Sequence, residues 1–199
     1  MKCSIYDFET LSQDSIRGAV VSLAVLNFDT NTFSTDEPYR FVDLVNSCHT
    51  IKFDVEEQVK KYQRKIDKST LEWWSKQGEE AKKQLKASDE DVSIECLYEF
   101  LTEDVRIQTS ERVYTRGNTF DPILLRTVLA DVGKEDPTKW WTIRDTRSLF
   151  EGMFYGSNMD NKFMIEECKD VFIAHDPRHD IALDVMRFQA LARVITGHS

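Results

Sequence analysis

The sequence predicts a single α/β domain: a mixed five-stranded sheet, its first three strands antiparallel, flanked by helices. Three observations predict it. The first third of the chain carries runs rich in Val, Leu and Ala joined by short polar connections, the pattern of an antiparallel meander. From about residue 54 the apolar spacing turns helical. The second half then alternates short extended runs with helical ones, as a sheet with helices packed on it requires. With 199 residues and no repeat or low-complexity linker, one domain over 1–199 is expected.

Residues 2–8 form the first predicted strand, and "GAVVSLAVLNFD" (18–29) a longer second one. "STDEPYRFVDLV" (34–45) is the expected third strand. "STLEWWSKQGEEAKKQLKAS" opens a helical stretch, with Ser69 three residues before Glu72 as a capping box. "SDEDVSIECLYEFLTED" has apolar residues at 92, 96, 97, 100 and 101, the spacing of one helix face. "ERVYTRG" reads as a strand. "FDPILLRTVLADVG" reads as a helix with Asp121 as cap and Pro122 at its first position. "KWWTIRD" is a strand or extended entry, "DTRSLFEGM" starts another helix, and "DVFIAHDPRHDIALDVMRFQALARVITG" is a short apolar lead into a long one.

The formal net charge of −9 argues against a sequence-independent nucleic-acid coat, which is normally basic. It leaves room for an enzyme that holds a polyanion through metal ions at one end. Cys3, Cys48, Cys96 and Cys168 are scattered without metal-type spacing, as reduced thiols of a cytoplasmic protein would be. No apolar run approaches the roughly 18 residues of a membrane span, and "MKCSIYDFE" holds no hydrophobic signal segment, so no membrane partner is expected.

Acidic groups stand at the ends of three elements, where sites are usually built. In "SIYDFETLS", Asp7 and Glu9 follow the first strand two residues apart, so alternation points both to one face. Two like charges in one space disfavour each other's ionisation, and a cation there removes the penalty. In "RGNTFDPILL", Asp121 stands at a helix start. In "AHDPRHDIALD", histidines and aspartates crowd the entry to the last helix.

"DxE" after a first strand, "Nx(2)FD" at a helix start and "Hx(4)D" near the carboxyl end resemble the three motifs of the DEDDh 3′–5′ exonucleases, whose fold is RNase H-like. "STLEWW" (69–74), "WWTIRDTRSL" (140–149) and "FIAHDPRHD" (172–180) are similar to the exonuclease A group of T-even phages and their RNase T-like relatives, over about residues 1–195. The resemblance implies a two-metal exonuclease releasing mononucleotides from a free 3′ end. Two Mg²⁺ or Mn²⁺ ions, typically ~3.5–4 Å apart, serve the attacking and leaving oxygens, and hard cations want carboxylate oxygen. By position, Asp7 bridges the metals, Glu9 holds the one on the nucleophile side and Asp121 acts mainly through the second. Asp180 completes the set, with His175 as general base.

The last motif reads two ways, His175 with Asp180 or His179 with Asp184. Asp180 is favoured because Ile181, Val185, Phe188 and Ala192 then follow as a core-facing stripe, whereas Asp184 would put polar Gln189 on that face. Asp176-Pro177 also marks a helix start, leaving His175 on the loop before it. In the substrate-binding set, Leu11 matches a position that wedges against a terminal base in relatives, and Asn118 matches the asparagine of the second motif. Trp73 and Trp74 are suited to stacking on bases, with core packing as the alternative use. Phe8, between the acids, points to the opposite face of a regular strand. Arg144 and Arg147 are candidates for phosphate or for ion pairs, and "KKYQRK" (60–65) is the best local basic patch.

The expected partner is a single-stranded nucleic acid 3′ end, DNA ahead of RNA because the resemblance is to phage DNA exonucleases. RNA-trimming relatives share the motifs, and RNase T-like enzymes often form homodimers. An inactive RNase H-like binding module is the alternative of another class. Such proteins usually lose a metal carboxylate, and here none is missing.

Overall fold

In the computed structural model, residues 1–155 and 160–197 are described. Five strands form one sheet in the order β3-β2-β1-β4-β5: β1 Lys2–Thr10, β2 Val20–Asp29, β3 His49–Lys52, β4 Arg112–Thr115 and β5 Ile143–Asp145. β1 pairs antiparallel with β2 and β2 with β3, while β4 runs parallel to β1 and β5 to β4. This is the mixed sheet the sequence predicts, with one correction. The third strand lies at 49–52, and within 34–45 the chain instead enters helix α1 (Phe41–Asn46). Phe41, Leu44 and Val45 are its buried residues, so that apolar run has helical spacing.

Alternation along β1 sorts the core into two layers. Cys3 and Ile5 pack with α1, α7 (Thr146–Met153) and α8 (Pro177–Thr196) on one face. Tyr6 and Phe8 pack on the other face against α6 (Asp121–Asp131) and the segment 94–107. That segment runs through a tight turn at Ile94–Cys96, the short α5 (Leu97–Glu99) and a widened π turn at Phe100–Asp104. Ile94 is buried and Cys96 exposed, because the tight first turn rotates the apolar face.

Between the first sheet strands and this segment lie α2 (Val55–Tyr62), α3 (Lys68–Ser75) and α4 (Glu79–Lys82). A small third core joins Leu11, Val21, Trp74 and Ala81. The expected capping box at Ser69 does not form. α3 begins two residues earlier than that cap implies, at Lys68 after Asp67, whose carboxylate accepts from the Ser12 hydroxyl at 2.6 Å. No helix among the described residues is long and apolar enough to cross a membrane.

Candidate active site

β1 outruns its parallel neighbour. β4 pairs only with Cys3–Ile5, whereas β2 follows β1 to Thr10 through a bulge beside Glu9. Past Ile5, then, the β4 side of β1 has no strand partner, and the main-chain groups there need another. Asp121 supplies one: its Oδ1 accepts from the Phe8 N–H at 3.3 Å. Phe120 is the residue before α6 and Asp121 its first member, with Pro122 second; the Asp121 side chain serves β1, not its own helix.

Asp7 and Glu9 share the face of Cys3 and Ile5 and therefore point toward α8. Asp176 caps that helix, accepting from the Arg178 N–H at 3.1 Å. One residue earlier, His175 adopts a left-handed φ of 63°, a costly conformation for a residue with a Cβ. Asp180 holds it there, accepting from the His175 N–H at 3.1 Å. Glu9, His175 and Asp180 each offer one ligand atom, and these three atoms lie within 4.8 Å of one another. Asp7, Glu9, His175 and Asp180 line one cleft of about 480 Å³.

Burial is the first cause that pushes all four carboxyls above their ordinary range, and neighbouring carboxylates push Asp7, Glu9 and Asp180 further. Asp7 and Glu9 rise well above normal, and Asp121 and Asp180 to about 7. Asp121 is the largest charged neighbour of Asp7. Burial also lowers the His175 imidazole below its usual value. Four crowded carboxyls that resist ionisation form a donor set suited to hard divalent cations, whose charge would let them ionise together.

The second candidate pair has different surroundings. His179 is buried between Phe41 and Phe172, with Nδ1 accepting from the Ile173 N–H at 3.2 Å. Asp184 is fully buried and binds Arg116 at 2.7 Å, Arg187 at 2.6 Å and the Thr146 hydroxyl at 2.6 Å. Both its oxygens are occupied by the protein.

The supporting residues divide. Trp74 is buried, and its indole N–H donates to the Thr10 carbonyl at 3.0 Å, tying α3 to the end of β1. Trp73 is 42% exposed and sets its ring 4.7 Å from that of His175, edge to face. Leu11 packs in the small core with Trp74, and the Phe8 ring lies in the opposite layer, edge-on to Tyr6. Asn118 stands outside the cleft and accepts from the Thr115 hydroxyl at 3.1 Å. Of the two arginines beside Asp145, Arg147 lines the cleft and Arg144 does not. The basic run 60–65 is largely committed to ion pairs: Lys60 with Glu56, Lys61 with Glu57 and Glu95, and buried Arg64 with Asp131. Arg116, Lys162 and Arg187 also line the cleft. Sequence reading missed them because nothing local in "TRG", "DNKF" or the last helix distinguishes a cleft cation from a surface one.

Residues 2–183 match the 3′-5′ exoribonuclease Rv2179c-like domain. The chain belongs to that family. It is a 3′–5′ exonuclease with the RNase H-like fold of the DnaQ and exonuclease I type. The exodeoxyribonuclease of Enterobacteria phage T4 is 32% identical over 97% of this chain and 90% of its own length. Among solved structures, the zinc-bound complex of Escherichia coli ExoI with single-stranded DNA superposes with a TM-score of 0.60 over 96% of this chain at 12% identity. Exonuclease I of Methylocaldum szegediense gives 0.59 over 96% at 14% identity. This chain spans about 40% of the length of each of those two, and at such identity the likeness is one of fold.

Proposed function

We propose that this family member removes mononucleotides from the 3′ end of single-stranded DNA, using two Mg²⁺ or Mn²⁺ ions. Asp7, Glu9, Asp121 and Asp180 would hold them, and the observation that carries the reading is the meeting of Asp7, Glu9, Asp180 and His175 around one cleft, with Asp121 beside Asp7 and bonded to the same strand. Such a pair, when bound, offsets charge on the attacking and leaving oxygens of an in-line displacement. The rest of the work falls to the chain. His175 accepts the proton of the attacking water, and its lowered pKa keeps the imidazole neutral at pH 7, with its lone pair free to take that proton. Asp180 fixes the strained turn that presents His175. The half-exposed face of Trp73 offers the terminal base a stacking surface beside that histidine. His175 with Asp180 is preferred over His179 with Asp184 because the latter two are already committed to packing and to internal ion pairs.

DNA is preferred because the phage T4 relative, matched over 90% of its length, is named an exodeoxyribonuclease. The exoribonuclease name of the family favours RNA as the second reading. The deciding experiment is hydrolysis of matched 5′-labelled single-stranded DNA and RNA with Mg²⁺, Mn²⁺ or EDTA, by wild type and Asp7→Asn. A ladder shortening from the 3′ end, dependent on metal and lost in the variant, is expected, with DNA the faster strand. No cleavage of either strand by folded protein would refute the enzyme and leave a binding module; faster RNA would move the substrate.

A further inference from the structure

The cleft that holds the carboxylates is also lined by cations, Arg116, Arg147, Lys162 and Arg187. Asp184 holds Arg116 at 2.7 Å and Arg187 at 2.6 Å, and both arginines reach on to the segment preceding the α8 entry. Arg116 donates to the Asn161 main-chain and side-chain oxygens at 3.2 and 3.0 Å, and Arg187 donates to the Phe163 carbonyl at 2.8 Å. Lys162, between these two anchored residues, is thus carried on a segment fixed on both sides. Phe163 is held again by Phe150 and Phe154 at ring distances of 6.2 and 5.3 Å. Arg147, in the first turn of α7, donates to the Arg116 carbonyl at 3.3 Å.

Lys162 and Arg147 are set apart by their position. Both line the cleft that holds Asp7, Glu9 and Asp180 and both are exposed; among the described residues neither closes an ion pair, and Arg147 is near enough to Asp121 for its charge to favour that carboxylate. In a chain of net charge −9, where the lysines of the basic run pair with acids, two exposed cations in the same cleft as the carboxylates are placed to meet an anion bound there. Phosphate oxygen is the ligand that a fixed guanidinium and an ammonium recognise together.

We propose that Arg147 and Lys162 seat the phosphate immediately 5′ of the one being cleaved. The inference rests on the exonuclease reading. The carboxylates with their bound metal ions would hold the scissile phosphate, and Arg147 and Lys162 take its neighbour, so the penultimate nucleotide is gripped at both ends. Substrate recognition is then through backbone charge and indifferent to base.

The test compares a dinucleoside monophosphate with the same compound bearing a 5′-phosphate, which differ only in the phosphate this seat would hold. Wild-type cleavage of a long 3′ end establishes the parent reading first. The added phosphate is expected to raise wild-type kcat/KM by about tenfold or more, the effect of gaining one charge-assisted contact. The Arg147→Ala/Lys162→Ala double variant should reduce that gain below about twofold, and Arg147→Lys/Lys162→Arg should restore it. The gain should also shrink with added salt. No gain in wild type, or an equal gain in the double variant, overturns the seat. If wild type cleaves no nucleic acid at all, the exonuclease reading fails first and the seat with it.

Discussion

Asp180 and Asp184 stand one turn apart on α8 and face opposite demands. Asp184 is buried with two arginines and a hydroxyl, so its charge is needed for the fold. Removing one partner of a buried ion pair leaves the others uncompensated, at a cost of about 3–5 kcal/mol. Burial, with neighbouring carboxylates adding to it, raises Asp180 to about 7, so without metal its charge opposes folding at alkaline pH. Asp184→Ala should therefore unfold several degrees earlier, while Asp180→Asn should melt at or above wild type at pH 8 without metal and lose cleavage. Thermal melts paired with the labelled-strand assay read both. An Asp184→Ala protein as stable as wild type, or an active Asp180→Asn, would reverse these roles.

At the scale of elements, α3 shows what its neighbouring tryptophans do. Trp74 fills the small core and ties to Thr10, so Trp74→Ala should cost about 3–5 kcal/mol, as large aromatic truncations in cores do. Trp73 lies outside the core against His175, and Trp73→Ala should move stability by no more than about 0.5 kcal/mol. Loosening a general base costs less than the roughly 10²–10⁴ of deleting it, so kcat should fall about tenfold, with Trp73→Phe recovering most of it. Equal stability losses from the two truncations would show that both are core residues. The pair also marks the limit of sequence reading. Helical spacing puts adjacent residues on different faces, but it does not say which face meets a histidine 102 positions away. The DxE strand, the α8 entry and the α/β class with its mixed sheet were legible because period and caps are local signals. β3 was not: His49–Lys52 is a short edge strand without an apolar face, and the more hydrophobic residues before it form α1. Nor was the Asp121 contact, because reaching the Phe8 N–H depends on β4 stopping short of β1.

For the whole molecule, the crowded carboxyls set how stability answers to pH and metal together. Each has a folded pKa above its unfolded one, with Asp121 and Asp180 at about 7 against roughly 4 in the unfolded chain. Between those limits the native state holds protons that the unfolded state has released, so metal-free stability falls as pH rises through 4 to 7 and beyond. Self-repulsion in a chain of net charge −9 acts in the same direction. A divalent cation that binds only the folded protein restores stability by mass action, and protons compete with it for the same oxygens. Melting with EDTA should therefore give a Tm that drops from pH 5 to pH 8. Added Mn²⁺ should raise Tm more at pH 8 than at pH 5, and the rise should shrink in Asp7→Asn and Asp180→Asn. A cation effect that is larger at pH 5, or that survives both amides, would mean the four carboxyls do not share the metal.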